Sequence, residues 1–286
     1  SCAPHGRGKE GAETLLRHRG SCGLSDDQAA IRDAVRGFLA EQATMAHVRV
    51  AFESDEGWSR AIWRGLAGDL GFAGLAIAEE HGGAGLGVRE LAIVAEELGA
   101  TLAPIPWFET AVLSTTLLQM CEASNSLKRI ASGDCIATLA WRDASGRADA
   151  IGPVLRDGRL HGVAHYVPFG HAADVLLVAA QTEQGPALCA VEARASGIAI
   201  QRQTSLDLTR PLSTVTFNGA QPDILAEDAT LILAYGFAIA SAVLATEQTG
   251  AAARVLEDTV AYSKQRVQFG RVIGSFQAMK HRMADM

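Results

Sequence analysis

The chain has 286 residues, of which 48% are hydrophobic and 20% are charged. This composition is typical of a folded protein with two or three domains and excludes an intrinsically disordered chain. The net charge of -7 argues against nucleic acid as the main partner, because proteins that bind nucleic acid concentrate basic residues on one face.

The cysteines are odd in number, widely spaced and without a Cys-x-x-Cys pair. They are Cys2, Cys22, Cys121, Cys135 and Cys189. This pattern predicts reduced thiols in a cytoplasmic protein rather than a disulfide framework. No apolar core follows the basic N-terminal residues, so no signal peptide is predicted.

Residues 1–24 lack an apolar period and are interpreted as a flexible or atypical N-terminal extension. Cys2-x-x-His5 and His18-x-x-x-Cys22 could be drawn as a zinc site. Because the segment is rich in Gly, Arg and His and has no periodic apolar residues to build a fold, we favour the extension.

Residues 25–132 predict an N-terminal helical domain. Ser25 and Gln28 form a capping-box pattern that starts an amphipathic helix to about residue 44. Further helices are predicted near residues 57–70, 88–99, 107–120 and on to about 131. The glycine string 82–87 follows no clear strand of a βαβ unit, so we interpret it as a structural turn rather than a phosphate-binding loop.

Residues 133–222 predict a small antiparallel β-barrel or sandwich domain. Short β-prone runs separated by Gly, Asp and Pro occur at 136–141, 159–167, 174–180, 187–192, 198–203 and 213–217. Asp157-Gly158 between two runs predicts a β-hairpin.

Residues 223–286 predict the start of a C-terminal helical bundle, so that the whole chain is α+β. The most apolar run, residues 231–245, is about fifteen residues long, whereas a membrane span needs about 20. It therefore predicts a buried helix and no membrane span. Gly270, Gly274 and Ser275 predict a helix end, a tight turn and a new helix near residue 275.

The segment 262–277 resembles the acyl-CoA dehydrogenase family. That family reads roughly Tyr-x-x-x-Arg-x-x-Phe-Gly-x-x-Ile-x-x-Phe-Gln at the opening of its C-terminal domain. The matching residues here are Tyr262, Arg266, Phe269, Gly270, Ile273, Phe276 and Gln277. Residues 70–87, 95–99, 172–178 and the run Asp207-Leu-Thr-Arg210 also resemble family segments, so the resemblance covers about residues 25–286.

The resemblance implies an FAD site. It assigns Arg266, Gln268 and Phe269 to the diphosphate and ribose region and Gln277 to the adenylate. In the family these residues reach the FAD of a neighbouring subunit, which implies a homo- or hetero-oligomer. From the residues alone, Arg266 in the last turn of a helix suits a diphosphate or carboxylate partner, or simply offsets the helix dipole.

The flavin-ring motifs depart from the family pattern. A Thr-Glu-Pro type motif is replaced by residues 140–146, and a Trp-Ile-Thr motif by Tyr166-Val167-Pro168. Tyr166 could still stack on the flavin, but Pro168 has neither the hydroxyl nor the backbone N–H of Thr. The β domain is therefore predicted to be degenerate for binding the flavin ring.

The catalytic base is the largest departure. The family removes the α-proton of an acyl-CoA thioester with a carboxylate while the flavin accepts the β-hydride. In most relatives that Glu lies beyond the position of residue 286, and in a minority it aligns with Ala240. Glu247, on the same apolar helix, is the remaining candidate base, since desolvation raises the pKa of a carboxyl group. A Glu paired across a helix interface, or a solvated one, is the alternative.

The functional hypothesis is therefore an FAD-dependent acyl-CoA dehydrogenase of lipid catabolism, apparently truncated, or a subunit of one. An acyl-CoA thioester is the implied substrate, and an electron-transferring flavoprotein is the implied electron acceptor. The alternatives are a companion subunit that completes a partner's FAD site, an inactive fragment, and a flavin monooxygenase of the same fold.

Overall fold

The computed structural model describes residues 23–147 and 149–286. The predicted N-terminal extension and its cysteine–histidine pairs lie outside the described residues. Helices come first along the chain, then a β-sheet, then helices again, so the predicted α+β class is confirmed.

The N-terminal helices are built around one hydrophobic core. They are α1 (Asp26–Gln42), α2 (Met45–Glu53), α3 (Arg60–Trp63), α4 (Val88–Thr101), α5 (Thr115–Met120) and α6 (Ser124–Ala131). A π-helical segment, Arg64–Asp69, continues α3, and another, Phe108–Ser114, precedes α5. The predicted capping box is confirmed, because the Gln28 N–H donates to Ser25 Oγ (3.2 Å) and the Ser25 N–H donates to Gln28 Oε1 (3.1 Å).

Two features of this region show how local residues set the backbone. Helix α2 was not predicted; Thr44 accepts a hydrogen bond from the His47 N–H (3.3 Å) and starts it as a separate helix. The glycine string is a turn, as predicted. Its Gly82 and Gly85 take φ values of 84° and 65°, which residues with a Cβ rarely adopt.

A single mixed sheet forms the middle of the chain. Its strands are β1 (Ala137–Ala140), β2 (Val154–Arg156), β3 (Arg159–Pro168), β4 (Val175–Thr182), β5 (Gly185–Glu192), β6 (Ile198–Arg202), β7 (Leu212–Ala220) and β8 (Asp223–Ala226). The order is β6-β7-β3-β2-β4-β5-β8, and β1 also pairs with β4.

The sheet is mixed rather than wholly antiparallel, because β1 and β2 both run parallel to β4. The predicted Asp157-Gly158 hairpin joins β2 to β3, with φ values of 52° and 69° in its turn. The short strands β2 and β8 were not predicted, since each offers only three or four residues to a periodicity argument.

The long helix α7 (Thr230–Gln265) follows the sheet and packs along α4. The two backbones touch through glycines: a Cβ on Gly99 would overlap the Glu247 carbonyl oxygen, and one on Gly250 would overlap that of Glu96. Such contacts allow two helices to approach more closely than side chains permit.

The prediction that residues 231–245 form a buried helix is wrong in its burial. In α7 only 22% of the most apolar 18-residue window is buried, and Leu231 is 80% exposed. The buried side chains follow one face, which packs mainly on α4 and on the segments before and in α5. Among the described residues, α7 alone is long and apolar enough to cross a membrane.

A hairpin and a short helix follow α7. The hairpin pairs β9 (Val267–Gln268) with β10 (Arg271–Val272), and helix α8 (Gln277–Asp285) comes after one 3₁₀ turn. The helix end, tight turn and restart predicted around Gly270 are present, with the restart two residues later than expected.

Candidate functional site

The clamp hairpin, residues 266–272, lies at the end of α7. The Arg266 N–H donates to the Tyr262 carbonyl (2.9 Å), and the Arg266 carbonyl accepts from the Ile273 N–H (2.8 Å). These two bonds fix where the chain leaves the helix. Because Gln268 and Arg271 are cross-strand partners, only Phe269 and Gly270 form the turn.

The turn places an aromatic side chain in an unusual position. Phe269 and Gly270 have φ values of 52° and 78°, as a type I′ turn requires, and that turn normally favours Asn-Gly. The Phe269 side chain is nevertheless 92% exposed. Phe269 therefore combines a rarely adopted backbone conformation with an exposed aromatic ring.

The three residues assigned to the diphosphate and ribose region are brought together here. Arg266, Gln268 and Phe269 are all exposed and share the clamp hairpin. Within residues 23–147 and 149–286, no carboxylate pairs with Arg266, so its guanidinium can serve an anion. Gln277 is exposed at the start of α8, with its Nε2 atom 3.2 Å from His281 Nε2.

A second aromatic side chain supports the hairpin. Phe269 meets Phe276 edge to face with ring centroids 6.2 Å apart, and the Arg271 guanidinium lies 4.0 Å from the centre of the Phe276 ring. These contacts are worth about 1 kcal/mol each. They hold the turn in place while leaving most of the Phe269 ring uncovered.

The residues at the predicted flavin-ring positions make hydrogen bonds within the chain. Tyr166 lies at an irregularity in the β3–β7 ladder with φ of 56°, and its hydroxyl donates to the Ala144 carbonyl (3.2 Å). The Pro168 carbonyl accepts from Thr138 Oγ1 (2.8 Å). The strand end that replaces the Thr-Glu-Pro motif carries Trp141.

Trp141 links the sheet to α7. Its ring centroid is 5.2 Å from that of Phe237, and the Arg142 guanidinium lies 4.7 Å from the Trp141 ring centre. Arg142 Nε is buried and has no hydrogen-bond partner among the described residues.

Taken together, the exposed residues of the clamp hairpin fit the diphosphate end of FAD. The ring end lacks the hydroxyl and the backbone donor that the resemblance implies.

Glu247 lies in a charge cluster, defined as Glu109, Arg210 and Glu247. Arg210 Nη2 donates to both Glu247 carboxylate oxygens (3.0 and 3.1 Å), and Arg210 Nε is 3.1 Å from Glu109 Oε1. Glu247 is thus ion-paired, but with a loop residue, whereas the alternative drawn from the sequence was a pair across a helix–helix interface. The role of Glu247 as a base stays a prediction, and Ala240 is buried without any ionisable group.

Burial governs the electrostatics of the charge cluster. It raises the pKa of Glu109 above the usual range, and Arg210 only partly offsets it, because Glu109 Oε2 is buried without a partner among the described residues. For Arg210, burial alone lowers the pKa, but Glu109 and Glu247 outweigh that effect and raise it. The guanidinium thus remains charged.

Sequence reasoning missed Glu109 and gave Arg210 no role. The available signal was a carboxylate inside the apolar run of residues 107–113, since an acid in such a run is rarely buried unless it is paired. Its partner could not be found from sequence, because Arg210 lies 101 positions further along the chain.

Comparison with known proteins identifies the class to which this fold belongs. Family models match residues 25–133 as "Acyl-CoA dehydrogenase, N-terminal domain" and residues 232–286 as "Acyl-CoA dehydrogenase, C-terminal domain". The acyl-CoA dehydrogenase IpdE2 of Mycolicibacterium smegmatis is 35% identical over 264 residues, which are 92% of this chain and 73% of that protein. IpdE2 of Mycobacterium tuberculosis is 36% identical, over 91% of this chain and 71% of that protein.

Solved structures agree with these relatives. The ChsE4-ChsE5 complex from Mycobacterium tuberculosis matches with a TM-score of 0.83 and 30% identity, over 92% of this chain and 73% of that chain. The Tcur3481-Tcur3483 steroid ACAD G363A variant matches with a TM-score of 0.82 and 29% identity, over 91% and 72%. The chain belongs to the acyl-CoA dehydrogenase family, whose members are FAD flavoproteins that oxidise acyl-CoA thioesters, and it is such an enzyme or a subunit of one.

Proposed function

We propose that this chain is the companion subunit of a two-component FAD-dependent acyl-CoA dehydrogenase. In this proposal its clamp hairpin binds the diphosphate of an FAD whose ring is held by a different subunit. The observation that carries the proposal is the contrast between the two ends of the site. The clamp residues are exposed and face outward, while Tyr166 and Pro168 make hydrogen bonds within the chain.

The chain's own residues suggest a division of labour. Arg266 supplies a charge-assisted contact to phosphate oxygens, Gln268 and Gln277 supply amide donors, and Phe269 offers an aromatic face. FAD held in the assembled enzyme would supply the hydride acceptor, and a carboxylate of the partner would supply the base for the α-proton. The two-part names of the ChsE4-ChsE5 complex and the Tcur3481-Tcur3483 enzyme support a hetero-oligomer.

The substrate class in this proposal is an acyl-CoA thioester with a steroid-derived acyl group. Its support is the Tcur3481-Tcur3483 enzyme, which is described as a steroid acyl-CoA dehydrogenase and is 29% identical to this chain. An electron-transferring flavoprotein is the proposed electron acceptor, on the family resemblance.

A cytoplasmic location belongs to the same proposal. Cys121, Cys135 and Cys189 are free thiols, and burial raises the pKa of Cys135 to about 12 and that of Cys189 to about 11. Thiols with such pKa values are protonated and unreactive at neutral pH, which suits a reducing compartment but does not require one.

Purification with and without a partner tests the proposal. The chain is expressed alone and together with each acyl-CoA dehydrogenase homologue of its source organism, and bound FAD is measured by its visible absorbance. We expect FAD only in a co-purified complex. Stoichiometric FAD on the chain alone would show that it holds the flavin ring itself and would contradict the companion role.

Variants of the clamp sharpen the test. Arg266→Gln in the complex is expected to weaken FAD retention about 10- to 100-fold, since a charge-assisted hydrogen bond contributes about 1.5–3 kcal/mol. Lys264→Gln removes the same charge from the last turn of the same helix and serves as the matched control. Equal losses of FAD in both variants would show that Arg266 acts only through the net charge of the chain.

A catalytic subunit with Glu247 as its base is the second candidate. Its support is that Glu247 lies on an apolar helix, with a side chain only 22% exposed. Glu247→Gln in any preparation that oxidises an acyl-CoA thioester tests this candidate, because unchanged turnover rejects Glu247 as the base.

A further inference from the structure

We propose that Arg210 is a positioning residue that fixes the direction in which α7 carries the clamp hairpin. The inference deepens the proposed function, and it rests on that function only for its consequence for FAD. Its physical basis is a cation held between carboxylates from two separate parts of the chain, next to a close contact between the backbones of α4 and α7.

The charge cluster joins three segments that are far apart in sequence. Arg210 comes from the loop before β7, Glu109 from the π-helical segment before α5, and Glu247 from α7. The Arg210 guanidinium also lies 5.4 Å from the centre of the Phe108 ring. One planar group therefore holds the sheet, the N-terminal helices and α7 in a defined arrangement, since a guanidinium donates in fixed directions.

The loop that carries Arg210 is itself held firmly. Asp207 Oδ1 accepts from the Thr209 N–H (2.9 Å) and from Thr209 Oγ1 (2.7 Å), which closes a tight turn before Arg210. On the other side, the Pro211 carbonyl accepts from the Phe169 N–H (2.8 Å). Arg210 is thus fixed to the β domain, and its ion pair with Glu247 sets the position of α7 relative to that domain.

The helix crossing beside the charge cluster can act as a pivot. Gly99 and Gly250 bring the backbones of α4 and α7 into contact. Beyond Gly250 only Ser263 of α7 is buried, so this contact is the pivot for the part of the helix that follows. Glu247 lies within one turn of Gly250 on α7. The Arg210–Glu247 pair is therefore well placed to fix the rotation of α7 about this contact.

The length of α7 amplifies any rotation at the pivot. Nineteen residues separate Glu247 from Arg266, which corresponds to about 28 Å at a rise of about 1.5 Å per residue. A rotation of about 5° over that length would move the clamp hairpin by about 2.5 Å. Binding groups must be held to within about 0.5 Å to work, so a small change at the charge cluster would misplace Arg266.

Removing Arg210 would do more than delete two ion pairs. Burial and the charge of Glu247 already disfavour ionisation of Glu109, so without the cation Glu109 would take up a proton. Glu247 would be left without its cation, and the charge cluster would no longer join α7 to the sheet and to the N-terminal helices.

Hydrogen exchange of the chain without FAD or partner tests the proposal. In Arg210→Met we expect amide exchange to accelerate by about tenfold or more in two distant places, α7 around residues 243–265 and the sheet segment 166–169. Arg210→Lys, which can reach only one carboxylate at a time, should be intermediate. Arg254→Met, which breaks an exposed pair with Asp258 on α7, is the matched control and should leave both segments unchanged.

Glu247→Gln provides a second variant should Arg210→Met fold poorly. It keeps the shape of the side chain and removes only the charge on α7, so it should accelerate exchange in α7 and leave segment 166–169 as it was. Acceleration confined to residues 207–212, or spread evenly over the whole chain, would overturn the positioning role. Because no FAD is present, a failure of the companion-subunit proposal would leave this result unaffected, and the reverse also holds.

Discussion

The two parts of α7, before and after Gly250, are built for different tasks. In the first part the buried residues Leu233, Gly236, Ala240, Val243 and Gly250 lie on the face that packs against the N-terminal helices. In the second part only Ser263 is buried, while Val255 and Tyr262 are 66% and 58% exposed. The first part is an anchor, and the second part is an arm that ends at the clamp hairpin.

The contrast between anchor and arm separates the residues that stabilise the fold from those that are free to bind. An arm with few contacts is free to meet another chain, and its precision comes from the anchor. A substitution in the anchor should therefore reduce the stability of the fold, whereas a substitution in the arm should reduce binding with little effect on stability.

Gly250→Ala should produce the largest loss of stability. A Cβ at this position would overlap the Glu96 carbonyl oxygen, so α4 and α7 must separate, at a cost on the order of 3 kcal/mol. The free energy of unfolding in urea measures the effect. Gly37→Ala is the control, since nothing lies within 4 Å of its Cβ position and it should stabilise helix α1 by up to about 1 kcal/mol.

Two arginines that line the same groove of ≈ 380 Å³ contrast an ion pair within the N-terminal helices with an ion pair on the arm. Arg36 holds Glu97 on α4 at 2.6 Å, and the Glu97 side chain is only 9% exposed. Arg36→Ala should cost about 1–2 kcal/mol, a value discounted because Arg36 itself is mostly exposed. Arg254→Ala on the arm should cost less than about 0.5 kcal/mol; equal losses in urea unfolding would erase the distinction.

Phe269→Asn should impair binding with little change in stability. Asn tolerates the left-handed backbone that Phe269 adopts, but it removes the edge-to-face contact with Phe276, so the two effects should offset each other to within about 0.5 kcal/mol. FAD retention by the complex should nevertheless fall, because the exposed ring is lost. Phe269→Tyr keeps the ring and should retain FAD. Normal FAD retention by a complex that carries Phe269→Asn would argue against a binding role for the aromatic ring.

The buried Glu109 should also make the stability of the fold depend on pH. The folded-state pKa of Glu109 is raised by burial, so the folded chain binds its proton more tightly than the unfolded chain does. Relative to Glu109→Gln, the wild type should lose stability as pH rises from about 4.5 through the raised pKa, and then remain level. Urea unfolding of both proteins at several pH values checks the sign; a parallel pair of curves would contradict it.

The sequence was sufficient for features that depend on neighbouring residues. The capping box at Ser25, the Asp157-Gly158 hairpin and the periodicity of α4 are local, and each was predicted. The clamp residues were assigned from the family resemblance, and their role in binding stays a prediction; the structure adds that Arg266, Phe269 and Gly270 share one short hairpin.

Only the tertiary structure could decide how distant parts of the chain meet. Glu247 looked like a candidate base on an apolar helix, and its pairing with Arg210 depends on a loop 37 positions away. The exposure of α7 likewise depends on which helices cover it, which apolar composition does not specify. Helix and turn signals act over a few residues, whereas burial and charge pairing are properties of surfaces that form only when the chain is folded.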